Sequence, residues 1–116
     1  MQLHHLALLS PDPERLAAFY GALLSLPEER RQSDAMGVRS VWFKLGETIW
    51  MIERGAVREG AIPVFDAEPG SAGEWTSRIV KAGGKLDGRT ECTVYGLDPD
   101  DRRFGLSSFP RPLGPG

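Results

Sequence analysis

The apolar positions change period along the chain, and each change marks an element. Leu3 to Leu9 is short and apolar and closes on Ser10-Pro11, which predicts a strand. Leu16, Phe19, Tyr20, Leu23 and Leu24 then recur at helical spacing. Asp12 is placed to cap that helix, Pro13 suits its first position and Glu14 its first turn, so the spacing predicts a helix over 13–25, ending before Pro27. A polar stretch, Glu28 to Asp34, follows and has no clear period. Val38 to Leu45 and Thr48 to Glu53 read as strands joined by the tight turn Gly46-Glu47.

The second half repeats this order. Ala61 to Phe65 is a short apolar run. Ser71-Ala72-Gly73-Glu74 has the form of a capping box, with Trp75, Ile79 and Val80 as the apolar stripe and Gly83 as the C-cap, which predicts a helix over 71–82. Lys85 to Arg89 is ambiguous. Thr90 to Leu97 and Arg103 to Phe109 read as strands around the turn composition Asp98-Pro99-Asp100-Asp101. The halves are offset by about 55–60 residues, the scale of a repeat. The expected architecture is α+β: two βαβββ modules, 1–56 and 57–109, in one domain, with 110–116 as a loose proline-rich tail.

Composition narrows the function. The chain has 116 residues, enough for one domain with a real core. Its 14 Lys+Arg against 16 Asp+Glu give a net charge of −2, which leaves no broad basic face for nucleic acid. Apolar runs such as Ile49 to Ile52 are too short to span a bilayer, and the start lacks the pattern of a signal peptide, so no membrane partner is expected. Cys92 is the single cysteine, which suits a reducing cytoplasm.

Three segments carry a resemblance. His4-His5-Leu6-Ala7-Leu8 runs into Asp12 to Tyr20, the second helix closes on Ala82-Gly83-Gly84, and Asp98-Pro99-Asp100-Asp101 is followed by Phe104-Gly105-Leu106. In this order and spacing the chain resembles the vicinal oxygen chelate superfamily, which includes glyoxalase I, extradiol dioxygenases, and the bleomycin- and fosfomycin-resistance proteins. The family turn usually ends in Gly where Asp101 stands here; Asp tolerates the left-handed conformation, so the turn survives. The resemblance implies a curved, half-barrel-like sheet around a cavity. It also implies four metal-ligand positions, which would fall on His5, on Trp50, within Ala61–Val64, and on Gly105. Only His5 can coordinate a transition metal well, and such a site needs two or three N, O or S donors with support around them. A symmetric partner chain would bring the same residues to the same positions. No metal and no other cofactor are therefore expected, a divalent metal being the alternative.

Strand alternation should turn Leu6 and Leu8 under the helix and His5 and Ala7 to the cavity. It likewise offers Ser40, Trp42 and Lys44, then Thr48, Trp50 and Ile52, then Arg103, Gly105 and Ser107. The candidate ligand-binding set is His5, Ser40, Trp42, Thr48, Trp50, Arg103 and Ser107, an aromatic and hydrogen-bonding group that suits a flat or amphipathic small molecule. Each member has a plainer reading. His5 fits a hydrogen-bonded strand histidine, the tryptophans could fill the cavity, and Arg103 could belong to the turn surface. Glu53, Asp66 and the run Glu28-Glu29-Arg30-Arg31 read as solvated, and Cys92 as a small packed residue. The leading expectation is a metal-free small-molecule binder. The alternative is a lyase, isomerase or dioxygenase with an atypical metal site or with His5 as general base. Exposed sheet edges favour a homodimer.

Overall fold

The computed structural model describes residues 3–58, 60 and 62–116. The chain divides into two compact units, Met1–Glu59 and Gly60–Gly116. In the first unit β1 (His5–Ser10) leads into α1 (Pro13–Leu24), followed by β2 (Glu28–Asp34), β3 (Gly37–Leu45) and β4 (Thr48–Arg54). In the second, β5 (Val64–Asp66) precedes α2 (Ala72–Ala82), β6 (Lys85–Arg89), β7 (Thr93–Leu97) and β8 (Arg103–Ser107). Each unit is thus a βαβββ module with an open, curved sheet. The strand orders match: β1-β4-β3-β2 and β5-β8-β7-β6. In each, the first strand runs parallel to the last and the other pairs are antiparallel.

The α1 start forms as its residues dictate: Asp12 accepts a hydrogen bond from the Arg15 N–H at 3.1 Å, with Pro13 at the first position. Leu16, Phe19, Tyr20 and Leu23 are buried against Leu8, Val41, Phe43, Trp50 and Ile52, which is the first core. In the second unit Ile79 of α2 lies against Gly96, and Ile79, Phe104 and Leu106 are all fully buried. A methyl group at Gly96 would come within 2.8 Å of the Phe104 ring and 3.0 Å of the Lys85 carbonyl, so this glycine sets how closely the helix and β6 approach.

The ambiguous polar stretches Glu28–Asp34 and Lys85–Arg89 are the strands that complete each βαβββ module, both at sheet edges, where one ladder and solvation of the other side suffice without apolar alternation. Several other expectations are corrected. The Ser71 hydroxyl donates to the Glu68 carbonyl instead of capping α2, so no capping box forms. Val80 is exposed. The run expected over Ala61–Phe65 is a strand only from Val64, with the Pro63 carbonyl accepting from the Gly105 N–H; Ala61 lies outside the described residues. Thr90 stands before β7 in a turn, accepting from Cys92 and Thr93 N–H through its hydroxyl. The end of the chain is not loose: Leu113 is fully buried, donates to the Glu91 carbonyl and accepts from the Ala72 N–H. Among the described residues no helix is long and apolar enough to cross a membrane.

Candidate functional site

Strand register sorts each sheet into a face under the helix and a face opposite it. In the first unit His5 pairs with Ile49 and Ala7 with Met51, while Trp42 pairs with Met51 and Ser40 with Glu53. These residues share the face opposite α1. Arg30, paired with Trp42 across β2–β3, lays its guanidinium over the indole at 5.2 Å from the ring centroid. Ser40 is buried on this face; its hydroxyl accepts from the Trp42 indole N–H at 3.2 Å and donates to the Gln32 side chain at 3.3 Å. Those bonds fix the indole plane. His5 is exposed, its ring at right angles to that of His4, with the two Nδ1 atoms 3.0 Å apart in a hydrogen bond.

Trp50 belongs to the other face. It pairs with Leu6 and Phe43, is buried, and packs edge-on against Tyr20 of α1. Ile52 and Thr48 follow the same alternation, Ile52 buried and Thr48 donating to the Leu3 carbonyl. The assignment of Thr48, Trp50 and Ile52 to the face of Trp42 is therefore corrected.

In the second unit Arg103, Gly105 and Ser107 do lie opposite α2, between buried Phe104 and Leu106. Thr93 pairs with Ser107 and donates to its hydroxyl at 2.7 Å; Ser107 Oγ also accepts from the Phe109 N–H. Tyr95 pairs with Gly105, and the Arg103 guanidinium stacks on the Tyr95 ring at 3.8 Å. Asp87 holds that guanidinium from β6, its carboxylate accepting from Nε at 2.9 Å and its carbonyl from Nη2 at 3.2 Å. Arg103 is thus a built feature of the face, not a free turn residue.

The two registers superpose position by position. Leu8, Ile52 and Val41 form one cross-strand row, and Phe65, Leu106 and Val94 form its counterpart. The neighbouring positions correspond as well: Met51 to Gly105, Trp42 to Tyr95, and Trp50 to Phe104. Of the ligand positions that the resemblance implies, the first unit therefore holds His5 and Met51, and the second holds Gly105. An imidazole and a thioether in one unit, and a glycine in the other, do not supply the donors that a divalent transition metal needs. Gly105 is also covered: a first side-chain carbon there would meet the Tyr95 ring at 3.1 Å and the Thr93 methyl at 3.2 Å. Among the described residues no three His, Cys, Asp or Glu side chains come together in a way that could hold a metal ion. The residues present do not fit the metal that the resemblance implies.

Arg30, Tyr95, Thr93 and Asp87 were not legible as site residues. Arg30 was hidden in a charged run that forms an edge strand. Tyr95 and Thr93 could have been found from alternation on β7, which places them beside Gly105 and Ser107.

No family model matches the sequence, and no curated protein sequence matches it. Solved structures do match. The fosfomycin resistance protein FosX from Listeria monocytogenes, in a variant solved with Mn(II) and 1S,2S-dihydroxypropylphosphonic acid, aligns with a TM-score of 0.78 at 21% identity, covering 92% of this chain and 91% of that one. FosX from Mesorhizobium loti aligns with a TM-score of 0.76 at 19% identity over 92% and 90%. Lactoylglutathione lyase from Agrobacterium tumefaciens aligns with a TM-score of 0.69 at 16% identity over 91% and 92%. The chain has the fold of these vicinal oxygen chelate proteins.

Proposed function

We propose that this protein binds a small planar molecule on its open sheet faces and does so without the metal chelate that names the fold. The observation that carries this reading is the Gly105 position. Where a metal-binding member would present a carboxylate, this chain has no side chain, and Tyr95 and Thr93 lean over the gap. What remains on the faces is aromatic surface with fixed hydrogen-bonding groups, which binds by stacking and desolvation. Trp42, half-buried and held by Ser40, is the natural stacking surface. Fluorescence titration tests this: a planar ligand should quench tryptophan emission saturably in chelator-treated protein, and Trp42→Leu should remove the response. Binding or glyoxalase-type turnover that appears only on adding a divalent metal would contradict it.

A second reading, a lyase, isomerase or dioxygenase in which His5 is the general base, is favoured by one feature. His4 and His5 share a hydrogen bond between Nδ1 atoms, which leaves the exposed Nε2 of His5 available for proton transfer. Turnover abolished by His5→Gln would bring this reading forward. We propose further that the chain forms a homodimer, since both sheets end in edge strands, β1 and β2 in one and β5 and β6 in the other. Light scattering that reads 12.7 kDa at micromolar concentration would count against pairing.

A further inference from the structure

Both units carry the same device at the same place. Trp42 and Tyr95 are register counterparts, each on the third strand of its module and opposite the helix. Each ring is capped by a guanidinium from a neighbouring strand, Arg30 from β2 in one and Arg103 from β8 in the other. The arginines come from different strands, so the sequence repeat alone does not account for the shared arrangement. The second unit's version is the more fixed. Asp87 accepts hydrogen bonds from Nε of Arg103 through its carboxylate and from Nη2 through its carbonyl, while the Tyr95 ring supports one face of the plane. No described residue accepts a hydrogen bond from Nη1 of Arg103. A planar cation held on two sides, with a free donor edge and a free face, is preorganised for a carboxylate or another planar oxyanion.

Resting on the reading that the open sheet faces bind a small molecule, we propose that the second unit's face takes an aromatic acid: a planar ring bearing a carboxylate, whose charge is met by Arg103 on its Tyr95 platform. Asp87 positions Arg103 and does not touch the ligand.

The test compares naphthoate with neutral naphthamide and cationic naphthylmethylamine by calorimetry on the full chain. Naphthoate is expected to bind most tightly. Arg103→Met should weaken it by about tenfold or more while leaving naphthamide within about twofold. Arg103→Lys should restore only part of the loss, because an ammonium cannot offer the forked donor edge. Arg78→Gln is the control: it removes another guanidinium stacked on an aromatic ring, that of Trp75, 4.5 Å away on α2, and should leave naphthoate unchanged. Circular dichroism of each variant separates lost binding from lost folding, and Arg103→Lys keeps the test informative if Arg103→Met unfolds. Equal binding of all three probes, or naphthoate binding indifferent to Arg103, would overturn the inference and leave the binding reading standing. Failure of all three probes to bind would overturn both.

Discussion

Tyr20 on α1 and Trp50 on β4 meet edge to face, their ring centroids 5.5 Å apart and their planes at 66°. Both are buried, and the contact fixes which residues of β4 lie beneath the helix and which face away. Because side chains alternate along a strand, placing Trp50 inward places Met51 outward, beside Trp42.

Neighbouring substitutions should therefore behave in opposite ways. Trp50→Glu puts a carboxylate into the Tyr20–Phe43 core and is expected to cost about 4 kcal/mol or to prevent folding. Met51→Glu lies on the open face and should cost less than about 1 kcal/mol. It should also create weak affinity for Ni(II) or Zn(II) that His5→Ala removes. Thermal denaturation and metal titration of the two variants check both halves; similar stability losses would show that β4 faces the other way.

Gly96 gives a packing prediction. Gly96→Ala drives a methyl group into the Phe104 ring and the Lys85 carbonyl, and should destabilise by about 1–3 kcal/mol. Gly73, exposed in the first turn of α2 with nothing nearer than 3.8 Å, should respond oppositely: Gly73→Ala should stabilise by about 0.5 kcal/mol. Urea denaturation reads the two signs.

The turn before β8 is organised by one buried carboxylate. Asp98 accepts from the Asp100 and Arg102 N–H groups and from the Arg102 guanidinium at 3.0 Å, with both side chains almost wholly buried. Asp98→Ala leaves the Arg102 charge buried without its carboxylate and is expected to cost about 3 kcal/mol. Asp101→Gly, at φ 60, should instead gain about 0.5 kcal/mol by relieving the left-handed backbone. A Tm series over these variants tests the ordering.

Asp34 yields a pH signature. Hydrogen bonding from Arg54, then from the Met36 N–H, holds its carboxyl below the ordinary carboxylate range. A depressed folded-state pKa contributes stability above the unfolded value, near pH 4, and loses it as pH falls through the folded value. The Tm difference between the native chain and Asp34→Asn should therefore be present at neutral pH and shrink toward zero on acidification below about pH 4. A difference that grows on acidification would reverse the sign.

Much of the fold was legible because local chemistry and tertiary packing agree. Asp12-Pro13 begins a helix wherever it is placed before an amphipathic stripe, and Leu6 and Leu8 alternate as a half-buried strand must. The face of β4 was misread for a definite reason. The first unit closes its hairpin at Leu45 and Thr48, under the helix, and the second at Leu97 and Arg103, on the open face. Counting from the turn therefore slips the alternation by one residue, and one residue moves every side chain to the other face. The edge strands β2 and β6 carry no apolar alternation because neither face of an edge needs to be buried. Leu113 was invisible because nothing in a run of prolines and glycines signals that one leucine seals α2 to the Glu91 turn.

Whether these faces bind their ligand with protein groups alone, as proposed, is read by elemental analysis of the purified chain after dialysis with equimolar Mn(II), Ni(II) and Zn(II), paired with naphthoate titration before and after chelator. No stoichiometric metal and the same naphthoate affinity in both samples are expected. One metal ion retained per chain and lost in His5→Ala, with naphthoate binding abolished by chelator, would contradict the proposal.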